Sequence, residues 1–516
     1  MGEKLRKFKD TFISNKSLTM KEQLGYGAGI FGNCMGQDST STYGDVFCRD
    51  FLGIKSGRML IKDNIADILS FIIPPVAGTI YDSPSKKKRS HLSTALFITP
   101  IPFALTSMLL FIVPSGNVFF NFLWALFFGL AFSVVDTFYD IAMSALGLRM
   151  CDDPKDRKNF FTFVSLASTL GSMLPGWIIP IIVGTTDDKS RQQWLYFFIA
   201  LVFCILGVTA MYMPYLTVRQ KADLALDTLQ GRKKKNKTNE NETKVQWNKE
   251  TLSAIFHNRP FIVLQLSLIF DTIRKVTYDT LNYLYKDVFD AYGMKAVIDA
   301  ISGGLSYAGL FSVPFVGAKM SARNIVAGGY AYTGFMYVIM SLFNFGFGGK
   351  NAVKNKLWVE GIRKKKWIVG ILIGLAGMPN SAQSAARKII TADSTDYMEW
   401  YGYKHFGSAV RSDGILTATE NITSKIVKLA KTNIYNGLFL AIDYKEGDPK
   451  SNIKTVQTDK TLYGIFLMVT LCGLIGNVLS AVTFLFDNFT GKHRDEILEE
   501  LYEYRKNDPQ RASKEN

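Results

Sequence analysis

Apolar residues along the chain gather into runs of about 20, the length an α-helix needs to cross a hydrocarbon core of roughly 30 Å. Eight runs are clear: Leu92–Val113, Phe119–Val135, Phe160–Val183, Trp194–Met213, Val297–Val316, Ile325–Phe345, Trp367–Ile390 and Leu462–Phe486. Four others, Leu24–Tyr43, Met59–Tyr81, Phe261–Tyr285 and Ile415–Ile442, have the length but carry charges or many polar side chains. Polar groups at membrane depth must face protein or water, so these four are expected to line a cavity. The pattern predicts an all-α membrane protein of twelve transmembrane helices, spans 1–12 in chain order.

Between spans 6 and 7 the segment Val218–Asn258 contains QGRKKKNKTNENETK, which is polar and highly charged. It predicts a flexible or partly helical cytoplasmic linker. The linker separates two six-helix bundles, 24–217 and 259–489, flanked by tails 1–23 and 490–516. Two such bundles rocking about a midplane site are the expectation for a secondary transporter. Only hydropathy shows the symmetry, since no strong internal sequence repeat accompanies it.

Charge then fixes an expected orientation. The opening MGEKLRKFKDTFISNKS has no signal-peptide apolar core and reads as a basic cytoplasmic tail. The closing EILEELYEYRKNDPQRASKEN reads as a short helix, also cytoplasmic. In this topology a plasma-membrane protein keeps an excess of Lys and Arg inside. That accounts for a net charge of +16 without a nucleic-acid partner. One loop conflicts: Gly349–Trp367, with its RKKK run, falls outside. A mean hydropathy of +0.09 would suit a soluble chain, but the clustering of apolar residues overrides the average.

Little of the remaining chemistry is catalytic. The five cysteines are scattered and odd in number, with neither metal spacing nor a disulfide framework. The four histidines (His91, His257, His405, His493) lack ligand-spaced partners. No nucleophile, phosphate loop or paired catalytic constellation stands out, so no enzyme activity, metal or cofactor is expected. Charges inside spans are the informative residues. Lys425 lies in span 11, and an ammonium near the bilayer centre costs about 2.5–3.5 kcal/mol on insertion scales. It follows a charged segment, read as a cytoplasmic loop, that begins at Ala392. Asp136 and Asp140 stand four apart on one face of the span 4 helix, where two carboxylates repel unless a proton or cation intervenes. In span 7, Asp271 is at pairing distance from Arg274 or Lys275. An internal salt bridge is one reading; two cations near the cavity that Lys425 faces, suited to an anionic solute, is the other. Tyr139, Tyr283 and Tyr285 could stack on a sugar ring or serve as packing.

Several segments carry a family resemblance. GTIYDSPSKKKRS after span 2, with Gly78, Asp82 and Lys86–Arg89, resembles the glycine–acid–basic loop of the major facilitator superfamily. The glycine-rich LGYGAGIFGN of span 1, Asp140, the following DDPKDRKNF loop, and the series Ala392-Asp393, Asp396-Tyr397, Glu399, Arg411 and Lys425 resemble the glycoside–pentoside–hexuronide:cation symporters, of melibiose permease type. The resemblance covers nearly the whole chain. It implies the major facilitator fold and alternating-access transport of a glycoside or related small solute, coupled to a proton or sodium, by a monomer in the bilayer. Spans 1, 4, 5, 7, 10 and 11 would line the cavity. Asp38, Asp140, Lys425, Arg274 and Asn33 are the expected substrate contacts, and Asp136, Thr137, Asp140 and Asp67 the expected coupling residues. Departures are informative. The helix 1 acid of the sugar symporters falls at Cys34, with Asp38 one turn on. The helix 2 aspartate pair falls at Ser70 and Pro74, while Asp63 and Asp67 sit nearer the extracellular start. The aromatic residue beyond Asp140 falls at Ser144, and the helix 5 arginine at Ser165. A one-carboxylate remnant favours a proton over sodium. The competing readings are transport of an anionic solute such as a hexuronide, or a non-transporting membrane sensor that kept the fold. The linker and tail are too short to be signalling domains.

Overall fold

The computed structural model describes residues 18–82, 91–150, 154–235, 249–317, 320–344, 357–407, 413–450 and 455–507, and among them it contains helices and no strands. The helices are α1 Met20–Asp38, α2 Gly44–Asp50, α3 Ser56–Asp82, α4 His91–Ile98, α5 Pro100–Leu110, α6 Val118–Met150, α7 Pro154–Val183, α8 Lys189–Lys235 and α9 Lys249–Phe256. They continue as α10 Arg259–Tyr283, α11 Met294–Gly317, α12 Ala322–Leu342, α13 Leu357–Lys364, α14 Lys366–Ala376, α15 Asn380–Phe406, α16 Asp413–Ala441, α17 Asp459–Thr483 and α18 Gly491–Asn507. Each of the twelve apolar runs is helical over most of its described residues. Among the described residues, six segments are long and apolar enough to cross a membrane: His91–Leu110, Val118–Ser144, Phe163–Val183, Lys189–Arg219, Ala322–Leu342 and Asp459–Phe486.

Several boundaries differ from the sequence expectation, each for a local reason. Thr19 begins α1 before the expected end of the tail, because Thr19 and Glu22 form a reciprocal capping box. Span 3 is two helices hinged at Thr99, with Pro100 opening α5, a position where its missing N–H costs nothing. The linker's first part is not a separate segment, since α8 runs unbroken to Lys235; residues 236–248 lie outside the described residues. The charged stretch from Ala392, expected as a loop, continues α15 to Phe406 and stops at Gly407, whose φ of +68° is the left-handed helix stop. Arg411 lies outside the described residues, as do residues 83–90 with Lys86–Arg89. The basic segment before span 10 is partly helical as α13. There Arg363 donates to the carbonyls of Val288 and Asp287, at the turn that closes the span 7 helix. A guanidinium at a helix C-terminus answers unpaired carbonyls, which gives this residue of RKKK a local role independent of topology.

The chain forms two compact units. The first comprises Met1–Glu240, Tyr292–Ala296 and Phe439–Gln457; the second comprises Asn241–Ala291, Val297–Leu438 and Thr458–Asn516. In the first, α1 packs along α8 and α7 through its glycines. A Cβ on Gly29 would stand 2.2 Å from Pro214, and one on Gly171 would stand 2.4 Å from the Phe31 carbonyl. The glycine-rich run is therefore a packing surface that brings three backbones close. In the second, α10 and α17 approach as tightly, a Cβ on Gly476 lying 2.4 Å from the Arg274 backbone nitrogen. Both units begin their bundle with a helix that widens into a five-residue π segment, Ser39–Tyr43 after α1 and Leu284–Val288 after α10.

Candidate functional site

In the first unit, α1, α6 and α7 assemble a polar cluster where α1 widens. Gln37 donates to both carboxylate oxygens of Asp136, at 2.8 and 2.9 Å. Asp38, the next residue, hydrogen-bonds Ser172 and lies in the field of Lys295. One turn back, Cys34 meets Ser168 at 3.1 Å. Asp140 is exposed on the face that Asp136 begins, and Ser144 and Ser165 are exposed as well. A π segment lets a helix present side chains out of its usual register and is frequent at functional sites. Here it directly follows Asp38. Asn33 is buried, and its Oδ1 has no hydrogen-bond partner among the described residues.

The expected coupling residues divide. Asp136 is held by Gln37, which the sequence reading passed over. Thr137 gives its hydroxyl proton to the Ser133 carbonyl, leaving its oxygen lone pairs for any ligand. Asp67 is buried on α3, a helix that packs against α6, and its carbonyl accepts the Ser70 hydroxyl. Asp63 is paired with Lys62 at 3.1 Å, as is Asp45, so that acid belongs to a largely buried ion cluster. Pro74 and Pro75 lie within the helix where the second carboxylate of a sodium pair would be.

The second unit holds a different cluster. Asp271 is fully buried on α10 and surrounded by cations. Arg274 Nε approaches at 2.5 Å, Lys275 Nζ at 3.5 Å and Arg387 Nη2, from α15, at 3.7 Å. The Tyr330 hydroxyl adds a bond of 3.3 Å to the same carboxylate. Arg274 continues outward to the Tyr278 hydroxyl at 2.8 Å and the Asn380 carbonyl oxygen at 3.2 Å, and the Asn380 amide closes the triangle on Tyr278. The internal salt bridge is thus real, and it accounts for Arg274. It leaves more positive than negative charge, with Lys275 the most exposed cation at 42%. Lys431 of α16 binds Asp279 at 2.6 Å. Lys425, half-buried, lies on the same helix two turns earlier.

Arg387, Tyr278 and Asn380 were missed from sequence. Asn380 opens α15 just after the break at Gly377–Pro379, near the middle of span 10, and the signal that could have found it was Gly-Met-Pro inside an apolar run. Broken helices place backbone and polar side chains at midplane sites. Tyr139, Tyr283 and Tyr285 are fully buried, so they are packing residues and not stacking platforms. His257 stacks on Tyr401, and among the described residues no group of three potential metal ligands occurs.

Comparison with known proteins places this architecture. The profile of the MFS/sugar transport proteins matches residues 25–490. The isoprimeverose transporter of Lactiplantibacillus pentosus is 22% identical over 482 residues, covering 92% of this chain and 90% of that protein. An uncharacterized symporter of Bacillus subtilis (strain 168) is 22% identical over 505 residues, covering 95% and 97%. A putative glycoside/cation symporter of Escherichia coli (strain K12) matches at 23% over a shorter stretch, 40% of this chain and 44% of its own. Among solved structures, a bacterial homolog of the human lysosomal transporter Spinster superposes with a TM-score of 0.56 at 12% identity, covering 93% of this chain and 97% of that one. A bacterial homologue of the human drug peptide transporters gives 0.53 at 14%, covering 90% and 97%. These likenesses show a shared fold. The chain belongs to the MFS/sugar transport protein family, a multi-pass membrane transporter of the glycoside–pentoside–hexuronide group within the major facilitator superfamily.

Proposed function

We propose that the protein carries a neutral glycoside, of the size of a disaccharide, into the cell by proton symport, with both termini cytoplasmic. The observation that carries the reading is the first-unit cluster: Asp136 locked by Gln37 beside an exposed Asp140, with Asp38 at the widened turn. Carboxylates held by hydrogen bonds at membrane depth are the groups that exchange protons in transporters. The relatives named for isoprimeverose and for glycoside/cation symport support the substrate class. Sodium would need several hard oxygen ligands and a compensating charge. With Ser70 and Pro74 at the expected acid positions, the proton is favoured.

Asp140 and Lys425, the expected substrate contacts, would each bind sugar hydroxyls. Equilibrium binding of isoprimeverose to the purified protein tests this. Saturable binding that Lys425→Gln and Asp140→Asn each weaken at least about tenfold is expected, since a hydrogen bond to a charged group contributes about 1.5–3 kcal/mol. Binding unaffected by both would remove them from the site.

The excess positive charge around Asp271 supports a second reading, an acidic sugar such as a hexuronide. In that case Lys275→Gln would weaken glucuronide binding while leaving neutral glycosides unchanged.

A further inference from the structure

The acid cluster of the first unit has a neutral partner where a cation would be the simpler choice. Asp38, Asp136 and Asp140 all act on the Cys34 thiol, so α1 and α6 gather their acids around one point. Lys295 supplies a cation, but it acts on Asp38, and its Nζ meets the Tyr43 hydroxyl at 3.4 Å. On α3, which packs against α6, Lys62 is engaged by Asp45 and Asp63, Arg58 lies over Phe119, and Asp67 is buried. The other elements packed on α6 add little charge at this depth. α5 has no titratable side chain, α4 has only His91 at its first position, and α8 carries its charges before Trp194 or from Arg219 on. From α7 come the Ser168 and Ser172 hydroxyls.

Into this field Gln37 projects an amide. Its Nε2 donates to both Asp136 oxygens, at 2.8 and 2.9 Å. An amide nitrogen donates two protons and accepts none, so the contact suits an ionised carboxylate, whose oxygens both accept. A protonated acid presents an O–H on one of them, and that group needs an acceptor. The Gln37 side-chain oxygen accepts no hydrogen bond among the described residues, so it is uncommitted. The terminal amide torsion of glutamine is broad and roughly two-fold. A turn about it brings that oxygen to the new O–H, while an N–H still donates to the acid carbonyl. A lysine or arginine here would hold the acid ionised, and an apolar side chain would answer neither form. The backbone of Gln37 also matters. Its carbonyl accepts the Ser41 hydroxyl at 2.7 Å, inside the π segment that Asp38 opens.

We propose that Gln37 is the positioning residue for proton exchange at Asp136. Its amide donates to the ionised carboxylate and turns to accept from the protonated acid, so α1 stays attached to α6 in both states. The proton passes between cavity water and one Asp136 oxygen, and no other group changes its charge. This role rests on the reading of Asp136 as a proton-exchanging group.

Infrared difference spectra of the full-length protein in detergent, taken between alkaline and acidic pH with isotope-labelled glutamine, test the role. Wild type is expected to gain an acid carbonyl band that Asp136→Asn lacks, together with a shift of a labelled glutamine amide band. Asp136→Asn should lose both changes. Gln37→Met should lose the amide shift and keep the acid band; Gln37→Asn, one methylene shorter, should do the same and serves if the first variant does not fold. A residue that only packed α1 against α6 would give no amide shift in wild type. An Asp136 acid band without that shift, or a shift that survives Gln37→Met or Gln37→Asn, overturns the role of Gln37 and leaves proton exchange at Asp136 standing. Absence of any acid band that depends on Asp136 overturns both.

Discussion

Asp271 is the residue on which most electrostatics of the second unit converge. Its carboxylate has no exposed surface and offsets Arg274, Lys275 and Arg387 at once. Removing one partner of a buried ion pair costs about 3–5 kcal/mol, because the remaining charges stay buried without compensation. Asp271→Asn should therefore lower the thermal unfolding midpoint strongly, and adding Arg387→Gln should recover part of the loss. An unchanged midpoint would mean that water, not the protein, balances these cations. Lys425 calls for the opposite outcome. A lysine inside a span is kept at a cost of about 2.5–3.5 kcal/mol, so Lys425→Ala should abolish uptake while leaving the midpoint within a degree or two. A folding defect without a specific transport defect would assign it a structural role. Sequence alone raised both residues, because charges within apolar runs stand out. Arg387 stands out by the same rule, inside the run Trp367–Ile390, and was passed over. Gln37 could not be raised, because its partner is 99 positions away in the chain (136 − 37) and nothing local in the sequence marks the pairing.

At the scale of elements, the apolar runs were legible because membrane-spanning length and apolarity are properties of a contiguous segment. The ends were harder. The extension of α15 from Ala392 to Phe406 is charged and would be marginal as an isolated helix. It is stabilised by α18: Trp400 donates to Glu500 at 2.7 Å, Lys404 pairs with Glu500 at 3.5 Å, and Trp400, Phe489, Ile497 and Leu501 form an apolar seam. The bond from Trp400, assisted by Lys404, holds the Glu500 carboxyl below the usual carboxylate range. A carboxyl depressed on folding binds fewer protons in the docked state, so its contribution is complete above about pH 4.3 and is lost as pH falls further. Amide exchange in α18 should accordingly accelerate as the pH-corrected protection is followed downward through that range. Glu500→Gln should show weaker protection at neutral pH with little further change. Since Glu500 is 47% exposed, added salt should shrink the difference. Equal protection in wild type and variant at neutral pH would leave the apolar seam as the whole attachment.

At the scale of the molecule, the two units share a device that their sequences hide. Each opens with a helix that ends in a five-residue π segment, one bearing Asp38 at its entrance and the other following the Asp271 helix. A repeat preserved in backbone geometry but not in residue identity is what a transporter built from two related bundles would show. The first unit gathers carboxylates on α1 and α6, and the second gathers cations around Asp271. The central claim is that sugar movement is driven by protons. The most direct measurement is isoprimeverose uptake into proteoliposomes under an imposed pH gradient, an imposed sodium gradient, or neither. The account predicts accumulation with the pH gradient alone, abolished by a protonophore and lost in Asp136→Asn or Asp140→Asn. Accumulation driven by sodium alone, or uptake that only equilibrates whatever gradient is applied, would contradict it.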